Sequence, residues 1–265
     1  MYIQTAGAPA GSGRPALALI HGWAMHAGLF APLVERLGDA FTLHLIDLPG
    51  HGYARDDATA LDPKALAAEL VQRIPDAYWL GWSLGGQVAL RAGLNHPEQV
   101  RGLILIASSP RFVVGEDWPH GVQPSLFRNF GEALERDFRG TLDGFLALEA
   151  LGSAKAQEEL RHLRELAFER GEPAPRALQE GLALLDAFDV RAELPQLRVP
   201  SLWISGRRDR LVPAGAMPAA AALAPQGRSA VIASAGHAPF LGATDEVAAA
   251  IEAFAAPAPA ALPFA

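Results

Sequence analysis

The sequence has no cysteine among its 265 residues. That excludes a disulfide framework, a thiolate zinc site, an iron–sulfur cluster and a cysteine nucleophile. Positive charge is scarce too: 22 Lys and Arg against 29 Asp and Glu leave a formal charge of −7. Such a field repels a phosphate backbone, which argues against nucleic acid as a partner. No apolar run approaches the ~18 uninterrupted residues of a membrane-spanning helix, so no membrane association is expected. The opening MYIQTAGAPAGSG has neither the basic start nor the apolar centre of a secretory leader. There is no internal repeat. What is abundant is apolar surface: half the residues are hydrophobic, enough in a chain of this length to bury a substantial core. A soluble, cytoplasmic, monomeric globular protein is the expectation.

Short apolar runs at residues 16–20 (ALALI), 41–46 (FTLHLI), 77–82 and 100–107 read as strands. Between them, Leu61, Ala65, Leu66, Leu70 and Ile74 recur at helical spacing, with Asp62 as cap and Pro63 in the first turn. Residues 85–95 read as a second helix, ending before His96-Pro97. Strands without polar alternation, separated by helices, predict a mostly parallel sheet flanked by helices on both faces. From 108 to about 189 the pattern is helical only, with amphipathic stretches at 130–138, 142–151 and 156–168. Alternation resumes with a strand at 201–205, a helix at 214–223, a strand at 229–233 and a helix at 245–254. The predicted organisation is an α/β core over 1–109 and 190–255, a helical insertion over 110–189, and a Pro- and Ala-rich tail over 256–265.

Gly81-Trp-Ser-Leu-Gly85 lies between a strand and a helix, the setting of a nucleophile elbow. Glycines two residues either side of Ser83 let the sharp turn pass close to its neighbours. A serine hydroxyl needs a base, and the base needs an orienting acid. In this architecture the order along the chain is Ser, acid, His. His237, in AGHAP after the strand at 229–233, is the only histidine beyond the resumed strands. Asp209 follows the strand at 201–205, at the end of a parallel sheet where catalytic groups collect. The preceding strand ends in Ala107-Ser-Ser-Pro110, with no carboxylate. The backbone N–H groups of Leu84 and Trp23 are the expected oxyanion donors; removing one such donor costs ~3–4 kcal/mol. His21, Asp47 and His51 read as loop-fixing groups. The eight histidines form no ligand pair, so no metal or other cofactor is expected.

With these residues in place, the chain resembles an α/β hydrolase over nearly its whole length. More closely, it resembles the pimeloyl-[acyl-carrier protein] methyl ester esterase family of biotin synthesis. The resemblance rests on LIHGW (19–23), FTLHLIDLPGHG (41–52), WLGWSLGG (79–86), IASSP (106–110), DFRGTLDGFLALEALG (137–152), LVP (211–213) and AGHAPF (235–240). It implies an α/β-hydrolase fold whose insertion is a lid, and hydrolysis of a carrier-bound methyl ester with release of methanol. It places the triad at Ser83, Asp209 and His237. Substrate contacts fall on Trp23, Ser83, Leu84, His237 and the lid residues Phe145, Leu146, Ala147, Leu148 and Glu149.

The family grips an acidic carrier protein through basic lid residues. Gly140, Gly144 and Gln157 stand where the family has arginines; Arg161 is retained. Arg139, Arg161 and Arg164 are the remaining carrier-contact candidates. The other reading of these arginines is a solvated surface paired with Glu158 and Glu165, since eight Lys and Arg face ten Asp and Glu between 128 and 176. Competing functions are a general short-acyl carboxylesterase or thioesterase with the same triad, and a non-catalytic binding protein.

Overall fold

The computed structural model describes residues 1–256. In chain order its elements are β1 (Tyr2–Gly7), β2 (Ala16–Ile20), α1 (Ala31–Leu37), β3 (Thr42–Asp47), α2 (Pro63–Val71), β4 (Ala77–Trp82), α3 (Gly85–Asn95) and β5 (Val100–Ile106). The helices of the expected lid, α4 (Ser125–Arg136), α5 (Phe138–Ala150), α6 (Ala156–Ala167) and α7 (Pro175–Ala187), follow. The chain then returns to β6 (Ser201–Gly206), α8 (Ala216–Leu223), β7 (Gly227–Ile232), α9 (Pro239–Gly242) and α10 (Thr244–Ala255). Most of the tail expected at 256–265 lies outside the described residues. Among the described residues no helix is long and apolar enough to cross a membrane.

The seven strands form one sheet in the order β1-β3-β2-β4-β5-β6-β7. All neighbours are parallel except β1, which pairs antiparallel with β3 from Tyr2 opposite Asp47 to Gly7 opposite Thr42. The mostly parallel sheet predicted from the uninterrupted apolar runs is therefore present. β1 was not anticipated. Its sequence, YIQTAG, is largely exposed and lacks an apolar run, so edge pairing rather than burial defines it. The segment from β5 to β6 contributes no strand to this sheet, only isolated bridges such as Arg111 with Asp189.

Alternation of side chains along each strand divides the core between the two faces. Ala18, Ile20, Trp79, Leu103, Leu105 and Trp203 pack with Leu66 and Leu70 of α2, Val88 of α3 and Met217 of α8. Leu17, Leu19, Leu80, Trp82, Ile104, Ile106 and Ile204 pack on the other face with Leu33 and Leu37 of α1 and Val247 and Ile251 of α10. The lid joins both clusters: Phe127, Phe145, Leu178 and Leu182 enter the first, and Leu146, Leu163 and Ala167 the second. At full burial each of these large side chains contributes about 1.5–3 kcal/mol. The lid is thus held by the same apolar burial that holds the sheet. The α2 cap is as read from the sequence, with the Asp62 carboxylate accepting from the Lys64 N–H at 2.9 Å.

Candidate active site

Ser83 stands between β4 and α3 with φ of +52°, a left-handed conformation that costs a non-glycine residue on the order of 1–3 kcal/mol. Surrounding bonds hold it there: its N–H donates to the Ile106 carbonyl at 3.0 Å, and its carbonyl accepts from Gly86 N at 3.0 Å. The flanking glycines answer to close approach. A Cβ on Gly81 would lie 2.4 Å from the Gly86 Cα, and one on Gly85 would lie 2.3 Å from the Ile20 carbonyl oxygen.

The loops after β6 and β7 bring the other two groups to this turn. His237 Nε2 lies 2.9 Å from Ser83 Oγ, and His237 Nδ1 lies 2.8 Å from Asp209 Oδ2. A carboxylate can only accept, so the imidazole carries its hydrogen on Nδ1 and presents the Nε2 lone pair to the serine hydroxyl. Asp209 Oδ1 in turn accepts from the N–H groups of Leu211 at 2.8 Å and Val212 at 2.9 Å. Those two donors fix the carboxylate plane, a contribution of the LVP segment that the sequence did not disclose. All three residues are buried.

Two further residues position His237. Trp82 Nε1 donates to the His237 carbonyl at 2.9 Å, and the His237 N–H donates to the Glu149 carbonyl of α5 at 3.3 Å. The Trp in GWSLGG has no signal in sequence beyond its apolar character. Its bond to a residue 155 positions away emerges only in three dimensions.

Among the described residues neither the Trp23 nor the Leu84 N–H donates to a protein acceptor. Trp23 itself is buried, its indole N–H donating to the Leu178 carbonyl at 2.8 Å and its ring 4.4 Å from that of Phe145. Gly181 of α7 lies against both Trp23 and Leu84. The insertion thus packs on the residues that flank the serine, and Ser83 is only 3% exposed. A cavity of about 670 Å³ beside Trp118, His120 and Arg191 includes none of the three relay residues.

The lid run 145–149 divides by helical geometry. Phe145 and Glu149, four residues apart, share the inner face of α5. Leu146 packs into the opposite core cluster, and Ala147 and Leu148 are half-buried. Glu149 is unusual: it is fully buried, and neither carboxyl oxygen has a hydrogen-bond partner among the described residues. Burial, reinforced by nearby Asp209, pushes its carboxyl well above the usual range.

His21 and His51 lie in the turns where loop-fixing was expected, and Asp47 is the last residue of β3, at the start of the second turn. His21 Nδ1 donates to the Gly22 carbonyl at 2.7 Å, and its Nε2 accepts from Leu48 N at 3.0 Å. Burial drives its pKa down. His51 falls to about 4, also by burial, and its Nδ1 donates to the Pro49 carbonyl at 3.0 Å. Asp47 accepts from Ala27 N at 2.7 Å and Tyr53 N at 2.9 Å, and pairs with Arg170 of the lid at 3.1 Å. Burial pushes the Asp47 carboxyl up, but its position beside His21, these N–H groups and Arg170 outweigh that and hold it low.

Of the carrier-contact candidates, Arg139 is paired with Glu172 and Arg164 with Asp143 at 2.8 Å. The acids differ from the Glu158 and Glu165 read from helix spacing, because Arg164 reaches across to α5 and Arg139 to the loop before α7. Arg161 is exposed and forms no ion pair among the described residues.

A family model for the alpha/beta hydrolase fold matches residues 15–244. A pimeloyl-[acyl-carrier protein] methyl ester esterase of Xanthomonas oryzae pv. oryzae (strain MAFF 311018) is 59% identical over 245 residues, covering 92% of this chain and 96% of that protein. The chain belongs to the pimeloyl-[acyl-carrier protein] methyl ester esterase family of α/β hydrolases. Another family member, from Stenotrophomonas maltophilia (strain R551-3), is 58% identical over 256 residues, 97% of this chain and 96% of that one. Among solved structures, an esterase from Exiguobacterium antarcticum superposes with a TM-score of 0.84 at 23% identity, covering 96% of this chain and 94% of its own. That likeness speaks to the fold.

Proposed function

We propose that this chain hydrolyses the methyl ester of a pimeloyl group carried on acyl carrier protein, yielding the free carboxylate and methanol, as a cytoplasmic step of biotin synthesis. The observation that carries the substrate assignment is the 59% identity across 92% of the chain to a relative of that name. The chemistry rests on the Ser83–His237–Asp209 relay.

In the first half, His237 Nε2 takes the Ser83 proton as Oγ attacks the ester carbonyl. Asp209 holds the imidazole in register and stabilises the imidazolium that forms. The Trp23 and Leu84 N–H groups receive the negative charge that develops on the carbonyl oxygen. His237 then returns the proton to the leaving methoxide, and methanol departs from an acyl-serine. In the second half, water gives its proton to His237 and attacks the acyl-serine. Collapse of that adduct regenerates Ser83 and leaves the carboxylate. Phe145 and Trp23 line the acyl chain. Glu149 contributes to the same pocket from α5.

The deciding experiment is genetic: the chain restores growth without biotin to a strain lacking its own esterase, and Ser83→Ala abolishes the rescue. A biochemical counterpart compares kcat/KM for the carrier-bound methyl ester with that for a free short-chain ester. Preference for the free ester, together with failed rescue, overturns the assignment in favour of a general carboxylesterase.

A further inference from the structure

The chain is acidic overall, with a formal charge of −7, and two of its three candidate lid arginines are neutralised by Glu172 and Asp143. Yet the loop that carries Asp209 reads Arg207-Arg-Asp-Arg210, and all three arginines are exposed. None of them forms an ion pair among the described residues; the one side-chain bond is from Arg208 Nη1 to the Gly152 carbonyl at 3.5 Å. Asp209 does not offset them, since it is buried and committed to His237.

This loop is packed onto the lid. Arg208 N donates to the Ala235 carbonyl at 3.0 Å, Ala154 N donates to the Ser234 carbonyl at 2.9 Å, and the Gly152 backbone rests on Arg208. The turn between α5 and α6 thus joins the loops after β6 and β7 in one rim, which also carries exposed Lys155. Glu159 on the same rim is buried against Ser153; Glu158 is the exposed acid on the first turn of α6. The rim stands at the ends of the strands that hold His237 and Asp209.

We infer that Arg207, Arg208, Arg210 and Lys155 form the docking surface for the acidic carrier protein, taking over from the lid positions occupied by Gly140, Gly144 and Gln157. This inference rests on the proposed carrier-bound substrate. Charge complementarity is the argument. Exposed cations unpaired among the described residues, such as Arg161, Arg101 and Arg228, stand elsewhere on the chain, but here three lie within four residues on the loop that carries Asp209. An anionic carrier is steered to such a cluster beside the site. The substrate's reacting ester is at the far end of a long arm, so the carrier must dock on a rim of the site rather than enter it.

The test is Arg207→Glu combined with Arg210→Glu, assayed on the carrier-linked methyl ester and on a free methyl ester such as dimethyl pimelate. The expected result is a fall of about tenfold or more in kcat/KM for the carrier-linked ester, with the free ester within about twofold. Raising salt from ~50 to ~300 mM lowers the native rate on the carrier-linked ester and has little effect on the double variant's. Arg101→Glu with Arg228→Glu makes the same charge change near the opposite ends of β5 and β7 and serves as the control. A carrier-linked rate that falls no further than in that control overturns the docking surface. Parallel loss on both substrates overturns it too, because the arginines would then shape the site itself. If the native enzyme shows no advantage for the carrier-linked ester, the substrate assignment fails and the docking surface with it.

Discussion

Glu149→Gln is expected to stabilise the protein, by an amount that grows with pH. Its carboxyl is fully buried without a hydrogen-bond partner, and burial beside Asp209 raises its pKa well above the ordinary 4.5. Above that ordinary value the unfolded chain has released the proton while the folded chain still holds it. Unfolding then releases a proton, so rising pH favours the unfolded state by about 1.4 kcal/mol per pH unit until the folded carboxyl itself ionises. Glutamine has nearly the same shape and no proton to lose. The stability difference between variant and native should therefore widen as pH rises above the ordinary carboxyl value, by up to about 1.4 kcal/mol per pH unit for as long as the folded carboxyl keeps its proton. Urea unfolding of both proteins at pH 5, 6 and 7 measures it directly. Two curves separated by the same amount at every pH would show that Glu149 ionises freely in the folded protein, and would refute the reasoning.

Ser83→Ala should lower kcat by on the order of 10⁴-fold or more while leaving the urea midpoint near native, and a serine-directed phosphonate should no longer label the chain. Asp209→Asn keeps the shape of the relay but offers His237 the wrong partner, and should cost on the order of 10⁴-fold in kcat at unchanged folding. Arg170→Met leaves Asp47 buried without its cation and should cost about 3 kcal/mol in urea unfolding at neutral pH. Because Asp47 is held below its ordinary value, that penalty should shrink as pH falls through the folded carboxyl's pKa. Gly85→Ala drives a methyl to within 2.3 Å of the Ile20 carbonyl, where the obstacle is backbone. It should cost about 1–3 kcal/mol and displace the elbow, seen as lower Tm and lost activity together.

Elements whose logic is local could be read without coordinates. β2, β4 and α3 match the ranges given by their apolar runs and their breakers. β7 starts earlier than expected, at Gly227, because its first residues are polar and exposed and are strand only by pairing with β6. β1 escaped for the same reason. α1 and α9, of seven and four residues, are too short for periodicity to register. Ser83, Asp209 and His237 were legible because each is a chemically distinctive residue at a strand end in a fixed order along the chain. The groups that hold them were not. The Trp82 indole, the Glu149 carbonyl and the paired N–H groups of Leu211 and Val212 act through backbone geometry or through contacts between lid and sheet. Arg170 and Asp47 are 123 positions apart, and no spacing rule connects them.

The bond from His237 N–H to the Glu149 carbonyl spans the seam between sheet and lid. Any swing of α5 wide enough to admit an acyl chain stretches that bond, so the base is least firmly seated while the door is ajar. A displacement of α5 would therefore be felt at the base itself through one backbone contact, which ties the seating of the imidazole to the position of a helix outside the sheet.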